Sequence, residues 1–285
     1  MWRHPLSLLA AKADLPNAHP LYHRGVAALL ARSASPMPTP GILRAELPWI
    51  TATRHTPEEL GFGDLGQVRA ALAASSPEAQ ATNHIDEGEG VVWQVAFVEA
   101  GAYVDARAEL TGGVYVSAGV FMAPQAIVRM DEKSGLEPFV IEPHANLQDE
   151  VLIHANGGHV GSRCIVAHDA VIHGAWLEED CTVYIKAIVD TGAHLGAGCF
   201  LDAAAYVGRG VRVPPRRYIS PKQAVCTQEE ADALPEMSAA QWAMHEEVIA
   251  HNRAHAERYG WGQSVSLGRL LEGDVEASHK PASRG

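Results

Sequence analysis

Between Val104 and Val213 an aliphatic residue returns every sixth position, with three interruptions, and no other feature of the 285-residue chain restricts its fold so tightly. The rows open at Val104, Leu110, Val116, Met122 and Val128, at Ile141, Leu147 and Ile153, at Val160, Val166 and Ile172, and at Leu177, Val183, Val189, Leu195, Leu201, Val207 and Val213. Four places after the opener most rows carry a small or aliphatic residue, as at Ala108, Val114, Ala145, Ala170, Ala187 and Ala205. A period of six is wrong for an amphipathic helix, whose apolar stripe needs 3.6 residues per turn. It suits a triangular prism wound from short strands, in which each row forms one face, the opener points inward and the small residue turns the corner. Three rows to a turn predict about six coils, stacked roughly 4.8 Å apart.

Cys164, Cys181 and Cys199 fall at the corner position, which reads them as small buried hydrophobes; Cys226 lies beyond, and no CxxC pair suggests a zinc knuckle or a disulfide framework. A formal net charge of −12 without a basic block argues against nucleic acid or an anionic membrane surface as partner. No apolar run is long enough to span a bilayer, and Lys12 interrupts the patch in MWRHPLSLLAAKA before a signal sequence forms, so a soluble, cytoplasmic protein is expected.

Outside the prism, HPLYHRGVAALLARSA and the stretch near TPEELGFGDLGQVRAALAASS read as helices, separated by the proline-rich SPMPTPGI. Thr227 is placed to cap a short helix, and Ser238 with Gln241 forms a capping-box pattern before a long one, AAQWAMHEEVIAHNRAHAERY, ended by Gly260 and Gly262. The expected division is an N-terminal extension of unassigned role over 1–95, the β-helix over 96–222, C-terminal helices packed on it over 223–262, and a mobile tail over 263–285.

Three histidines interrupt this aliphatic rhythm in NLQDEVLIHANGGHVGSRCIVAHDAVIHG. His154 and His173 are each the second residue of rows three apart, so they stack on one face of adjacent coils, close enough for both imidazoles to reach one ion. His168 is the third residue of the row opened by Val166, on a different face, and would complete the set only from a neighbouring copy, as in a cyclic trimer. Three imidazoles and an open position describe a catalytic zinc site, which lowers the pKa of its water to near 7 and yields a metal-bound hydroxide that attacks small electrophiles at carbon. A lone histidine at a solenoid corner is more often simply solvated; the stacking register, with Gln148 and Asp149 one row ahead of His154, is what favours a metal. His159 reads as an exposed loop residue, and His251 and His255 as part of a solvated helix face.

The motifs RMDE at Arg129 to Glu132, NLQDEVLIH at Asn146 to His154, AHDAVIHG at Ala167 to Gly174 and the exit VPPRRYISP resemble the gamma-class carbonic anhydrases, trimeric left-handed β-helix enzymes, over roughly residues 100–260. The resemblance implies the left hand of the prism, which periodicity alone leaves open. It implies zinc, with iron or cobalt as alternatives, on His154, His168 and His173, and the reversible hydration of carbon dioxide to bicarbonate by a homotrimer. It also implies that Arg129 and Asp149 bridge subunits and hold bicarbonate, that Gln148 orients the hydroxide, that Asn146 and Asp131 line the pocket, and that Glu132 moves the proton out. Arg129 with Asp149 could equally be a structural ion pair and Glu132 a solvated carboxylate. This chain departs from the family in its short loop ANGGH, in His245 where an asparagine near the metal is expected, and in its N-terminal 95 residues. Two other readings remain open at this stage: a hexapeptide-repeat acyltransferase using one interface histidine as general base, and a non-catalytic assembly protein with a vestigial metal site.

Overall fold

The computed structural model describes residues 50–258, excepting 100, 101, 106, 133, 134, 155 and 156. The helix expected in HPLYHRGVAALLARSA, the proline-rich stretch, the glycine stop after the long C-terminal helix and the tail from 263 lie outside the described residues.

The rows stack as a left-handed parallel β-helix with C-terminal helices, built as three parallel sheets of 8, 7 and 7 strands. Each third row lies on its predecessor, so the openers align: Val128 pairs with Ile153, Ile153 with Ile172, Ile172 with Val189, and Val189 with Val207. That register closes a column of aliphatic side chains against the next column, and the openers Leu110, Val128, Ile153, Ile172 and Val189 are fully buried. The solenoid runs to about seven turns, where the row count predicted six, because rows opened by Val98, Ile219 and Val225 extend it at both ends. Pro214 and Pro215 read in the sequence as an exit, but the ladder continues through Tyr218–Ile219 and Ala224–Val225, since a proline breaks a ladder only where its N–H would be used. Ahead of the prism, Ile50–Thr51 adds one more parallel strand against Leu110 and Thr111.

Fourteen corners place the residue three after the opener in the left-handed region, from Gly119 (φ 79°) to Lys222 (φ 62°). Only four of them are glycines. Each other residue accepts a strain of about 1 kcal/mol or more, offset by the apolar row that the corner allows to close. The three buried cysteines sit just after such corners, and Cys164 Sγ donates to Glu178 O at 2.9 Å. On one outer face Glu99, Glu142 and Glu178 each accept the corner N–H of the coil below, at 2.7, 2.9 and 3.0 Å from Ala118, Ser162 and Ala197.

The N-terminal unit holds helices α1 (Leu65–Ala74) and α2 (Pro77–Thr82) over a three-stranded antiparallel sheet of Thr53–His55, Val91–Gln94 and Asn83–Asp86. The helix expected near TPEELGFGDLGQVRAALAASS starts only at Leu65, after a turn of 3-10 helix at Glu58–Leu60, because Gly61 takes φ 87° and Asp64 caps α1 through Gln67 N at 2.9 Å. Beyond the prism, α3 (Gln228–Asp232) carries a full capping box between Thr227 and Glu230. A second box, Ser238 with Gln241, opens α4 (Ala239–Arg258). No helix among the described residues is long and apolar enough to cross a membrane.

Helix α4 docks through polar contacts. Trp242 lies 4.6 Å beneath the Arg216 guanidinium, Arg163 bridges Asp180 and Glu246 at 2.6 and 3.3 Å, and fully buried His245 meets Thr182 Oγ1 through Nδ1 at 2.7 Å. Burial holds the His245 pKa below its ordinary 6.5, against the pull of Asp180 and Glu246. Unfolding restores the ordinary value, so the unfolded chain binds the proton first, and this stabilisation is complete above about pH 6.5 and lost as the pH falls below it. Thermal melts across about pH 5 to 8 should show that loss, and His245→Gln should flatten it. In the prism, Leu195→Ala leaves a cavity in a fully buried row and should lower stability by about 3 kcal/mol, read from urea unfolding.

Candidate metal centre

The regular corner fails on one edge of the prism, and one of two groups of candidate side chains lies there. After Leu110, Val128, Ile153 and Ile172 the chain leaves its sheet through Gly112 (φ 74°), Asp131 with Glu132, Gly157 with Gly158 (φ 109° and 120°), and Gly174 (φ 58°). The residue following each opener on this sheet points outward, and pairing runs Arg129 to His154 to His173. The two imidazoles lie with ring centroids 5.5 Å apart, tilted by 46°.

His154 Nε2 is 3.3 Å from Asp131 Oδ1 and 3.6 Å from Glu132 Oε1. Arg129 donates to Asp131 Oδ2. Burial by itself would raise the Asp131 pKa; the hydrogen bond and charge of Arg129 outweigh it and keep the carboxyl below 3.8. One coil further, His173 Nδ1 meets Thr191 Oγ1 at 2.7 Å and Asp190 Oδ1 at 3.5 Å. The backbone N–H of Thr191 and the hydroxyl of Tyr206 hold the Asp190 carboxyl below its ordinary range. Asp190 and Thr191 were missed by sequence reasoning, although the row arithmetic that stacks the histidines puts Asp190 directly after the next opener, Val189.

A second group lies on another sheet. His168 Nδ1 is 3.3 Å from Asp149 Oδ2, both being two residues past openers on successive rungs. A cavity of about 440 Å³ opens there, lined by Asn146, Gln148, Asp149 and His168 of the prism and by Glu247 and His251 of α4. Within one chain, therefore, Arg129, Asp131, Glu132, His154 and His173 come together, Asn146, Gln148, Asp149 and His168 come together, and the two sets occupy different sheets. Arg129 is bonded to Asp131 within its own chain, not to Asp149. Among the described residues no three His, Cys, Asp or Glu side chains converge as a complete cation site.

Each half has the chemistry a divalent cation needs. Nδ1 of His173 and of His168 is engaged by a hydroxyl or carboxylate, which sets the ring and leaves Nε2 as the nitrogen for a further ligand. Asn146 Oδ1 is a buried acceptor without a hydrogen-bond donor among the described residues. His245 is not in either group; it is spent on packing α4. His159 is not an exposed loop residue: it sits in the strand His159–Val160, paired with Val140 and Trp176, and burial lowers its pKa against the opposing charge of Glu142.

No family model matches the chain. It is 30% identical over 180 residues to the carboxysome assembly protein CcmM of Nostoc sp., covering 57% of this chain and 32% of that one. It is 29% identical over 164 residues to a carbonic anhydrase of Methanosarcina thermophila, covering 50% of this chain and 64% of the relative. It is also 29% identical over 136 residues to the carnitine operon protein CaiE of Escherichia coli, covering 46% and 67%. The chain thus spans less than a third of the Nostoc relative and just under two thirds of the carbonic anhydrase. Among solved structures, a hexapeptide transferase family protein from Anaplasma phagocytophilum superposes with a TM-score of 0.50 at 18% identity, covering 58% of this chain and 93% of that one, a likeness of fold. With its six-residue rows stacked in register, the chain is a hexapeptide-repeat β-helix protein that has a carbonic anhydrase and carboxysome assembly proteins among its relatives.

Proposed function

We propose that the protein hydrates carbon dioxide reversibly to bicarbonate and a proton, at a cation held between copies of the chain by His154 and His173 of one and His168 of the next. The observation that carries this reading is the in-register pair His154–His173, whose partner groups complement those around His168 on a separate sheet. The outward column beside the pair is apolar, running through Ile127, Leu152, Val171 and Ile188, with Ile188 39% exposed. Such a stripe suits burial against a second copy, and three equivalent contacts close a trimer. A divalent cation bound by three imidazoles, zinc with iron or cobalt as alternatives, supplies an acidified water at neutral pH.

The chain's own residues do the rest. Gln148 and Asn146 present amide groups into the cavity beside His168, where they orient water and the small neutral substrate. The guanidinium of Arg129, paired with Asp131, stabilises the negative charge that develops as bicarbonate forms. Asp149 fixes the ring of His168. Glu132 Oε1, beside His154, takes the released proton and passes it to solvent.

Removing the metal with a chelator, or changing His168 to Ala, should abolish hydration in a stopped-flow assay; undiminished activity in either case would remove the proposal. Thr191→Val, which strips the support from His173 Nδ1, should weaken zinc binding about tenfold, measured by competition with a chromophoric chelator. The match to carboxysome assembly proteins favours a second reading, a structural part in an assembly, and a bound cation with no measurable hydration would select it. Coenzyme A binding by a metal-free protein would instead select an acyltransferase.

A further inference from the structure

The N-terminal unit takes no part in the chemistry above, yet it is built around one segment of the site. We propose that this unit positions the acidic pair beside His154, and that Asn83 and Gln94 are the positioning residues. Thirteen residues separate the openers Val128 and Ile141, where a regular row needs six, and the insertion has two described feet. Its first foot is Asp131 and Glu132, whose carboxylates lie 3.3 and 3.6 Å from His154 Nε2. The second foot, Gly135 to Glu137, is fastened to the N-terminal unit.

That fastening is specific. Gln94 Nε2 donates to Gly135 O at 2.8 Å, and Asn83 Nδ2 donates to Leu136 O at 2.7 Å. The two amides are joined to each other, Gln94 Nε2 to Asn83 Oδ1 at 2.7 Å, across a register pair of adjacent antiparallel strands. Asn83 is also tied to the end of α2 through Ala79 O at 2.8 Å. Both amides are almost wholly buried, at 2% and 1% exposure. Leu136 is buried in the small core of Leu60, Val68 and Val92, and Ser76 Oγ donates to Glu137 Oε2 at 2.8 Å. A cap that served only to cover the end of the prism would be served as well by aliphatic side chains, which need no partners when buried. Two buried amides aimed at two successive carbonyls hold a backbone in one place. The separation between the carboxylates and His154 is therefore set from the N-terminal unit, on one side, and from Arg129, on the other.

That the insertion serves carbon dioxide hydration rests on the function proposed above; that the N-terminal unit holds it does not. The test uses the full chain and Gln94→Met, which keeps the volume and removes the donor. Hydrogen exchange in peptides spanning 131–138 should quicken at least tenfold, while peptides from the prism between 160 and 220 keep their wild-type protection. In hydration kinetics kcat should fall about fivefold at low buffer, with kcat/KM and bound metal retained, and high imidazole buffer should restore it, because only the proton-release step is disturbed. If 131–138 exchanges as in the wild type while the strands around Asn83 and Gln94 loosen, the proposal is overturned. Glu137→Ala removes an exposed tether without disturbing the buried pair and should shift exchange at 131–138 in the same direction, by about threefold; no shift there counts against the proposal even if Gln94→Met fails to fold. Should neither wild type nor variant hydrate carbon dioxide, the functional reading falls, and the exchange result alone decides the positioning role.

Discussion

The alignment of openers from coil to coil is the constraint on which everything else hangs. Once Val128, Ile153, Ile172 and Val189 stack as a single buried column, the residue after each of them is forced into an outward column with the same spacing. Arg129, His154, His173 and Asp190 are that column. A one-residue slip would turn the histidines into the core and the aliphatic residues out, so the hydrophobic effect that closes the prism also fixes the imidazole pair. No flexible loop is asked to bring the two rings together.

Regular corners repeat the same close-packed turn from coil to coil, and this chain suspends them along one edge. Where the turn is regular, a residue at φ near 60° and a small residue after it close the triangle. Where it is not, glycine or an insertion carries the chain outward, and Asp131 and Glu132 arrive beside His154 from the longest insertion. The same insertion accepts hydrogen bonds at Gly135 and Leu136 from buried amides of the N-terminal unit, a segment that looks separate from the repeat in sequence.

The helix α4 makes the other end of the arrangement. His245 meets Thr182 in the interface between helix and prism, while Glu247 and His251, two and six residues further on, line the cavity with Gln148 and His168. Burial of a neutral imidazole and a cation–aromatic contact between Arg216 and Trp242 hold the helix down, rather than a broad apolar face.

Period and composition determined a good deal alone: the prism, its three faces, the inward openers, the buried corner cysteines and the stacking of His154 on His173 all follow from counting in sixes, because a solenoid converts sequence spacing into spatial position without long-range folding. The two added rows beyond Val213 were hidden by Pro214 and Pro215, whose harmlessness depends on which N–H groups the ladder uses. Only the tertiary structure decided that Asn83 and Gln94 grip the segment after Glu132, and that His245 packs rather than lines the cavity. Those contacts join residues outside the repeat to residues within it, and no fixed period relates the two; their geometry exists only once independent elements have buried their faces against each other.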